Sequence, residues 1–152
     1  MRAVIQRVER ASVTVGGAEI ARIGRGILAL VAIERRDSLV DLEWMAKKIV
    51  ELRIFDDDEG RLNRSLLEVA GQLLLVSQFT LYGDCRKGRR PSYSDAAPPA
   101  HAQELYQSFV GLARRYVPDV QSGQFQASME VELINSGPVT LIIDTPRQST
   151  EI

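Results

Sequence analysis

The sequence predicts an α+β fold, a single domain with a mixed β-sheet and two main helices. Three observations carry this expectation. Strand-like runs outnumber helical ones, only two segments switch to a helical period, and neither an internal repeat nor a linker divides the 152 residues. A chain of this length buries roughly 68–70% of its unfolded surface, enough for one core. The domain is expected to span residues 1–152, with 145–152 as a loose tail.

The first quarter reads as β-structure. Ala3 to Val8 alternates around Gln6, and the runs Ser12 to Val15 and Glu19 to Ile23 flank Gly16-Gly17. A Gly-Gly pair between two such runs signals a tight hairpin, because primed turns need positive φ. The nearly continuous apolar run Gly26 to Ile33 is expected to be a central strand covered on both faces. From Ser38 the period becomes helical, with Leu39, Leu42, Met45, Ala46, Ile49 and Leu52 on one side; Ser38 and Asp41 form an N-cap with an acidic first turn. The run Asp56-Asp57-Asp58-Glu59-Gly60 lacks EF-hand spacing and reads as a solvated acidic turn.

Leu73 to Tyr82 is a second long strand candidate, followed by a loop from Gly83 to Pro99 rich in Gly, Pro, Ser and Arg. Loops this long in a small domain are often functional. Pro98-Pro99 opens a second helix that carries Ala102, Leu105, Tyr106, Phe109, Leu112, Ala113 and Tyr116 on one side and ends at Val117-Pro118. Ala127 to Ile134 and Val139 to Ile143 complete the strands.

Composition narrows the function. The chain is 45% hydrophobic and 26% charged, within globular averages, which excludes collagen-like and disordered classes. No apolar run approaches the ~20 residues of a membrane helix, and Met1 leads into polar-apolar alternation without a signal-peptide pattern. One cysteine, Cys85, permits no internal disulfide, so a cytoplasmic protein is expected. With one histidine, His101, soft-metal sites have no ligand set, and no glycine-rich phosphate loop supports a nucleotide cofactor. Neither metal nor cofactor is expected. The net charge of −1 means that any nucleic-acid partner must meet a local patch.

Hydrolytic machinery of the usual kind is nearly absent. His101 falls in the first turn of an amphipathic helix, where a surface position is the simpler reading than a triad member. Cys85 has Arg86 and Lys87 as a positive field but no nearby base. Two segments break their local rules. Ser77-Gln78-Phe79-Thr80 puts polar groups into an apolar strand, with Gln78 and Thr80 on one face and Ser77 and Phe79 on the other; a solvated edge strand and a functional wall both fit. Asn135-Ser136-Gly137-Pro138 lies between two β-prone runs, where a hairpin connection is the reading sequence favours. The alternative is a pocket lined by carbonyls, since Gly137 lacks a side chain and Pro138 removes a donor.

These segments carry a resemblance. The opening Met1-Arg2-Ala3-Val4-Ile5-Gln6-Arg7-Val8, the run Ser77-Gln78-Phe79-Thr80-Leu81 and the run Asn135-Ser136-Gly137-Pro138-Val139-Thr140 resemble the start and the two signatures of the D-aminoacyl-tRNA deacylase family. Between them, Arg86-Lys87-Gly88 and Arg90-Pro91-Ser92 are similar to its basic loop, and the likeness runs in order from Met1 to about Asp144. These enzymes, also called D-tyrosyl-tRNA deacylases, remove mischarged D-amino acids and glycine from tRNA.

The resemblance implies a homodimer whose site lies at the subunit interface and receives the aminoacyl-tRNA 3′ end. Its Gly-Pro bond, here Gly137-Pro138, is cis and reaches from one subunit into the partner's site, where its carbonyls hold the substrate amino group and exclude an L side chain. Ser77, Gln78, Phe79 and Thr80 become the catalytic segment, with the N–H groups of Phe79 and Thr80 on the ester carbonyl, a role worth roughly 3–4 kcal/mol per donor. Arg7 becomes a support beneath the filter, and Phe125 and Met129 suit an adenine-stacking pocket, with core packing the competing role. Arg86, Lys87, Arg89 and Arg90 are candidate tRNA contacts, with a solvated loop as the alternative. One departure stands out: Ser128 occupies a position where the family usually has an acidic residue. The rival class is a non-catalytic module that binds a tRNA 3′ end.

Overall fold

The computed structural model describes residues 1–147. Its frame is β1 (Arg2–Val15), which pairs antiparallel with three other strands. The first half of β1 lies against β3 (Gly26–Ala32), the second half against β2 (Ala18–Ile23), and both halves against β8 (Glu130–Asp144). Beyond β3, β6 (Gln72–Ser77) and β7 (Gln121–Ser122) add in parallel, giving the order β2-β1-β3-β6-β7 with β8 on β1. The sheet is mixed, as predicted. A small separate ribbon, β4 (Phe55–Asp56) and β5 (Leu62–Arg64), carries the acidic turn.

Local chemistry explains most elements. Gly16 and Gly17 take φ of +56° and +80°, the left-handed pair a tight hairpin needs. The predicted central strand β3 is buried along nearly its whole length, flanked by β1 and β6. α1 (Leu39–Glu51) starts in a capping box: the Asp41 carboxylate accepts the Ser38 N–H at 2.8 Å and the Ser38 hydroxyl at 3.1 Å. Leu42, Met45, Ala46 and Ile49 are buried as predicted, whereas Leu39 is exposed because it sits in the first turn, outside the packed stripe. α2 (Pro99–Ala113) begins at the predicted prolines but ends before Val117, and Tyr116 is left exposed. Asp57 closes its own turn by accepting the N–H groups of Glu59 and Arg61, which holds its carboxyl below the usual range.

The sheet separates two cores. Ala3, Ile5, Ile27, Ala29, Leu73 and Leu75 pack toward α1 and α2, while Val8, Val13, Ile23, Leu28, Leu74 and Val76 pack on the opposite side. That second side is thinner. Leu30 and Met129 are only half-buried there.

Two expectations need correction. The strand predicted over Leu73 to Tyr82 stops at Ser77. The Gln78 N–H makes a last bond to the Val31 carbonyl at 2.7 Å, β3 ends one residue later, and Phe79–Tyr82 coils into a 3-10 turn. The face alternation predicted for Ser77 to Thr80 therefore does not hold.

The hairpin expected at Asn135-Ser136-Gly137-Pro138 is absent as well. β8 keeps its antiparallel direction along β1 on both sides, and the segment is a bulge within one strand, which begins at Glu130 rather than Ala127. Thr145, where the tail is predicted to begin, donates its N–H to the Met1 carbonyl at 3.0 Å and accepts from the Met1 ammonium at 2.8 Å. The rest of that predicted tail, 148–152, lies outside the described residues.

Candidate active site

Two irregularities that long-range pairing creates define the candidate site. The first is the 3-10 turn Phe79–Tyr82. At the start of such a turn the leading N–H groups have no partner within it, and those of Phe79 and Thr80 donate to no acceptor among the described residues. The Gln78 side-chain amide donates to the Thr80 hydroxyl, joining two of the predicted catalytic residues. Ser77 is the last residue of β6 and is half-buried. The Phe79 ring is 55% exposed and meets Tyr93 edge-on at 5.1 Å.

Arg2 holds this turn from β1. Its guanidinium donates to the Leu81 carbonyl at 3.2 Å, pairs with Asp144 at 2.8 Å and lies 5.4 Å from the Tyr82 ring centroid. Burial, with Asp37, Glu34 and Asp144 around it, pushes the Tyr82 hydroxyl well above its usual range, so it stays protonated.

The second irregularity is the bulge in β8. Gln6 faces Thr140 and Val8 faces Asn135, so one residue of β1, Arg7, stands opposite the whole of 136–139. Arg7 Nε donates to the Ser136 carbonyl at 2.9 Å, and its NH1 donates to the Ile54 carbonyl at 3.0 Å and reaches Asp56 at 3.2 Å. The Gly137-Pro138 peptide is cis, and both residues are exposed. Gly137 has φ +130°, outside what a side chain tolerates, and a Cβ there would lie 2.8 Å from Arg7 NH2.

The remaining candidates are spread over other parts of the fold. Phe125 is half-buried against the helix-side core, 6.0 Å from the Tyr106 ring, while Met129 packs against the opposite core with its sulfur over Gly123. Ser128 is exposed. Arg86, Lys87, Arg89 and Arg90 are exposed in the long loop; Arg86 is engaged by Asp84 at 2.7 Å, and the other three form no ion pair among the described residues. That contact draws the Asp84 carboxyl down to about 2. His101 is exposed in the first turn of α2, and Cys85 is an exposed free thiol.

Sequence reasoning did not assign Arg2 or Asn135 a role. Asn135 lies inside the second signature, and its side chain spans the bulge. Arg2 had no detectable signal, because its partners Leu81 and Asp144 are 79 and 142 residues away. Among the described residues no three His, Cys, Asp or Glu side chains gather to hold a metal ion, and no helix is long and apolar enough to cross a membrane.

The chain is similar to known proteins along nearly its whole length. A D-aminoacyl-tRNA deacylase of Chloroherpeton thalassium is 57% identical over 148 residues, covering 96% of this chain and 97% of that protein. One from Desulfitobacterium hafniense is 55% identical over 147 residues, covering 97% and 99%. The solved structure of a c-Myc DNA unwinding element binding protein superposes with a TM-score of 0.92 at 43% identity, covering 96% of this chain and 99% of that one. That of a probable eukaryotic D-amino acid tRNA deacylase shares the fold at a TM-score of 0.78 and 22% identity. Residues 4–144 match the family described as D-Tyr-tRNA(Tyr) deacylase, and the chain belongs to that family.

Proposed function

We propose that the chain is a chirality-proofreading enzyme that hydrolyses D-aminoacyl-tRNA, and glycyl-tRNA mischarged on tRNA-Ala, while rejecting L-aminoacyl-tRNA. The reaction type follows from the family: a D-aminoacyl-tRNA deacylase is a carboxylic ester hydrolase. Water adds to the ester carbonyl, and the developing oxyanion takes hydrogen bonds from the N–H groups of Phe79 and Thr80. The ribose oxygen then leaves with a proton, helped by the neighbouring ribose hydroxyl, and free amino acid and tRNA result.

The unpaired N–H groups at the start of the 79–82 turn are the observation that carries this reading. An aminoacyl ester is already activated, so stabilising its oxyanion suffices where a nucleophile with its own base is missing. Thr80 supports this: its hydroxyl partner is the Gln78 amide, which cannot take a proton.

The chiral filter is assigned to Gly137 and Pro138 acting across a homodimer interface. Arg2 holds the turn and Arg7 holds the bulge, and their backbones stand five positions apart along β1, about 17 Å in extended strand. On this reading the two elements of one chain serve different esters, and a second copy supplies the missing half. β8 is an edge strand with Ile134, Leu141 and Ile142 exposed, a surface suited to burial against another subunit. The protein is assigned to the cytoplasm, where its substrate is found. Phe125 and Met129, packed against opposite cores, are assigned to the terminal adenosine as separate contacts rather than as one stacking pocket, and Lys87, Arg89 and Arg90, with Arg86, to tRNA phosphates. The test is release of tRNA from D-tyrosyl-tRNA and L-tyrosyl-tRNA: rapid hydrolysis of the D form alone is expected, and equal rates overturn the filter. Binding without turnover would favour the non-catalytic module.

A further inference from the structure

Asn135 enters the bulge opposite Val8, and its side chain runs along the chain rather than away from it. Oδ1 accepts the Val139 N–H at 2.8 Å, and Nδ2 donates to the Val139 carbonyl at 3.1 Å and to the Thr140 hydroxyl at 2.9 Å. One side-chain amide thus bonds both backbone groups of a residue four positions on, across a bulge that has only Arg7 of β1 opposite it. Thr140 is held a second time, by the Gln6 amide at 3.3 Å. The ends of 136–138 are closed on each other by Asn135, and its first carbonyl is held by Arg7.

From this geometry we infer that Asn135 is a positioning residue for the chiral filter: it fixes both ends of the bulge so that Gly137 presents a single carbonyl geometry to the substrate amino group. The inference rests on the reading of Gly137 and Pro138 as the filter. Its chemistry is specific to asparagine. Aspartate keeps the acceptor for the Val139 N–H but loses the donor and sets a carboxylate oxygen against the Val139 carbonyl. Glutamine is one methylene too long, and alanine removes both bonds to Val139. The oxyanion turn lies elsewhere on the chain and is untouched by these changes. A loosened bulge should therefore admit the wrong enantiomer, and the ratio of rates on the two enantiomers reports it directly.

The experiment compares kcat/KM on D-tyrosyl-tRNA and L-tyrosyl-tRNA for the full-length protein, Asn135→Ala, Asn135→Asp and Gly137→Ala, with melting temperatures alongside. The D-to-L ratio is expected to fall tenfold or more in Asn135→Ala, and by a smaller but clear factor in Asn135→Asp, with each folded at assay temperature. If Asn135→Ala does not fold, the isosteric Asn135→Asp decides, and an unchanged ratio there overturns the inference. A lowered melting temperature with an intact ratio also overturns it, because that is a structural role alone. Selectivity kept in both Asn135 variants but lost in Gly137→Ala overturns the inference and leaves the filter standing. Selectivity kept in all three overturns both.

Discussion

Arg7 and Gly137 are fitted to each other. The guanidinium donates to the carbonyl of the residue before Gly137, and its NH2 occupies the space within 2.8 Å of where a Gly137 side chain would begin. The arginine is thus both a hydrogen-bond support and a steric floor. The absence of a side chain at 137 is required from below by Arg7 as well as by the backbone, with φ at +130°.

Gly137→Ala is therefore expected to shift the bulge rather than unfold the chain. The new methyl meets Arg7 NH2, and the residue must leave a conformation costing about 1–3 kcal/mol to hold. D-tyrosyl-tRNA hydrolysis should fall at least tenfold while circular dichroism keeps the wild-type spectrum. Wild-type kinetics would show that this carbonyl does not face substrate.

Arg7→Lys tests the fork. Lysine keeps the charge, but one ammonium does not reach the Ser136 and Ile54 carbonyls together in the planar geometry that arginine uses. A loss of about 1–3 kcal/mol in denaturant unfolding is expected, together with reduced activity. Full activity and stability would reduce Arg7 to a surface charge.

Thr80→Ala should retain measurable turnover, because the backbone N–H survives the change and only the contact with Gln78 is lost. No acyl adduct should appear on Thr80 in wild-type protein by mass spectrometry. An adduct would make the hydroxyl a nucleophile and overturn the oxyanion assignment.

For the basic loop, Lys87→Ala and Arg89→Ala should weaken tRNA binding equally for every attached amino acid. Each phosphate contact removed flattens the salt dependence by about 0.9 in the log-log slope for duplex. Unchanged slopes measured by filter binding would return the loop to solvent.

The Asp84 carboxyl should titrate near the value of about 2 that its Arg86 contact imposes, and NMR can follow it. A depressed carboxyl keeps its ion pair above the usual aspartate range and loses it as pH falls through that low value. In Arg86→Ala the midpoint should rise only part of the way to normal, because the N–H of residue 86 still donates to Asp84. A midpoint unmoved by the substitution would show that the guanidinium is not its partner in solution.

What could be read from the chain alone was local. Gly16-Gly17 needs only its own φ preference to make a hairpin, Ser38 and Asp41 need only each other to start α1, and the apolar spacing of β3, α1 and α2 follows from which faces must leave water. The signatures around Thr80 and Gly137 were legible too, as residue types in order. Their shapes depended on partners far away in sequence. β6 reads as a strand through Tyr82 because Phe79, Thr80, Leu81 and Tyr82 favour strands, yet it ends where β3 runs out of residues to pair with. Asn135 to Pro138 has the composition of a turn, but β1 offers hydrogen-bond partners on both sides, and a bulge keeps those ladders where a reversal would lose one. Arg2 and Asn135 acquired their positions in the site only when the sheet brought Leu81 to one and the bulge folded Val139 back beside the other. Propensity acts over a few residues, whereas pairing and burial act across the whole chain, and the candidate site formed where the two disagreed.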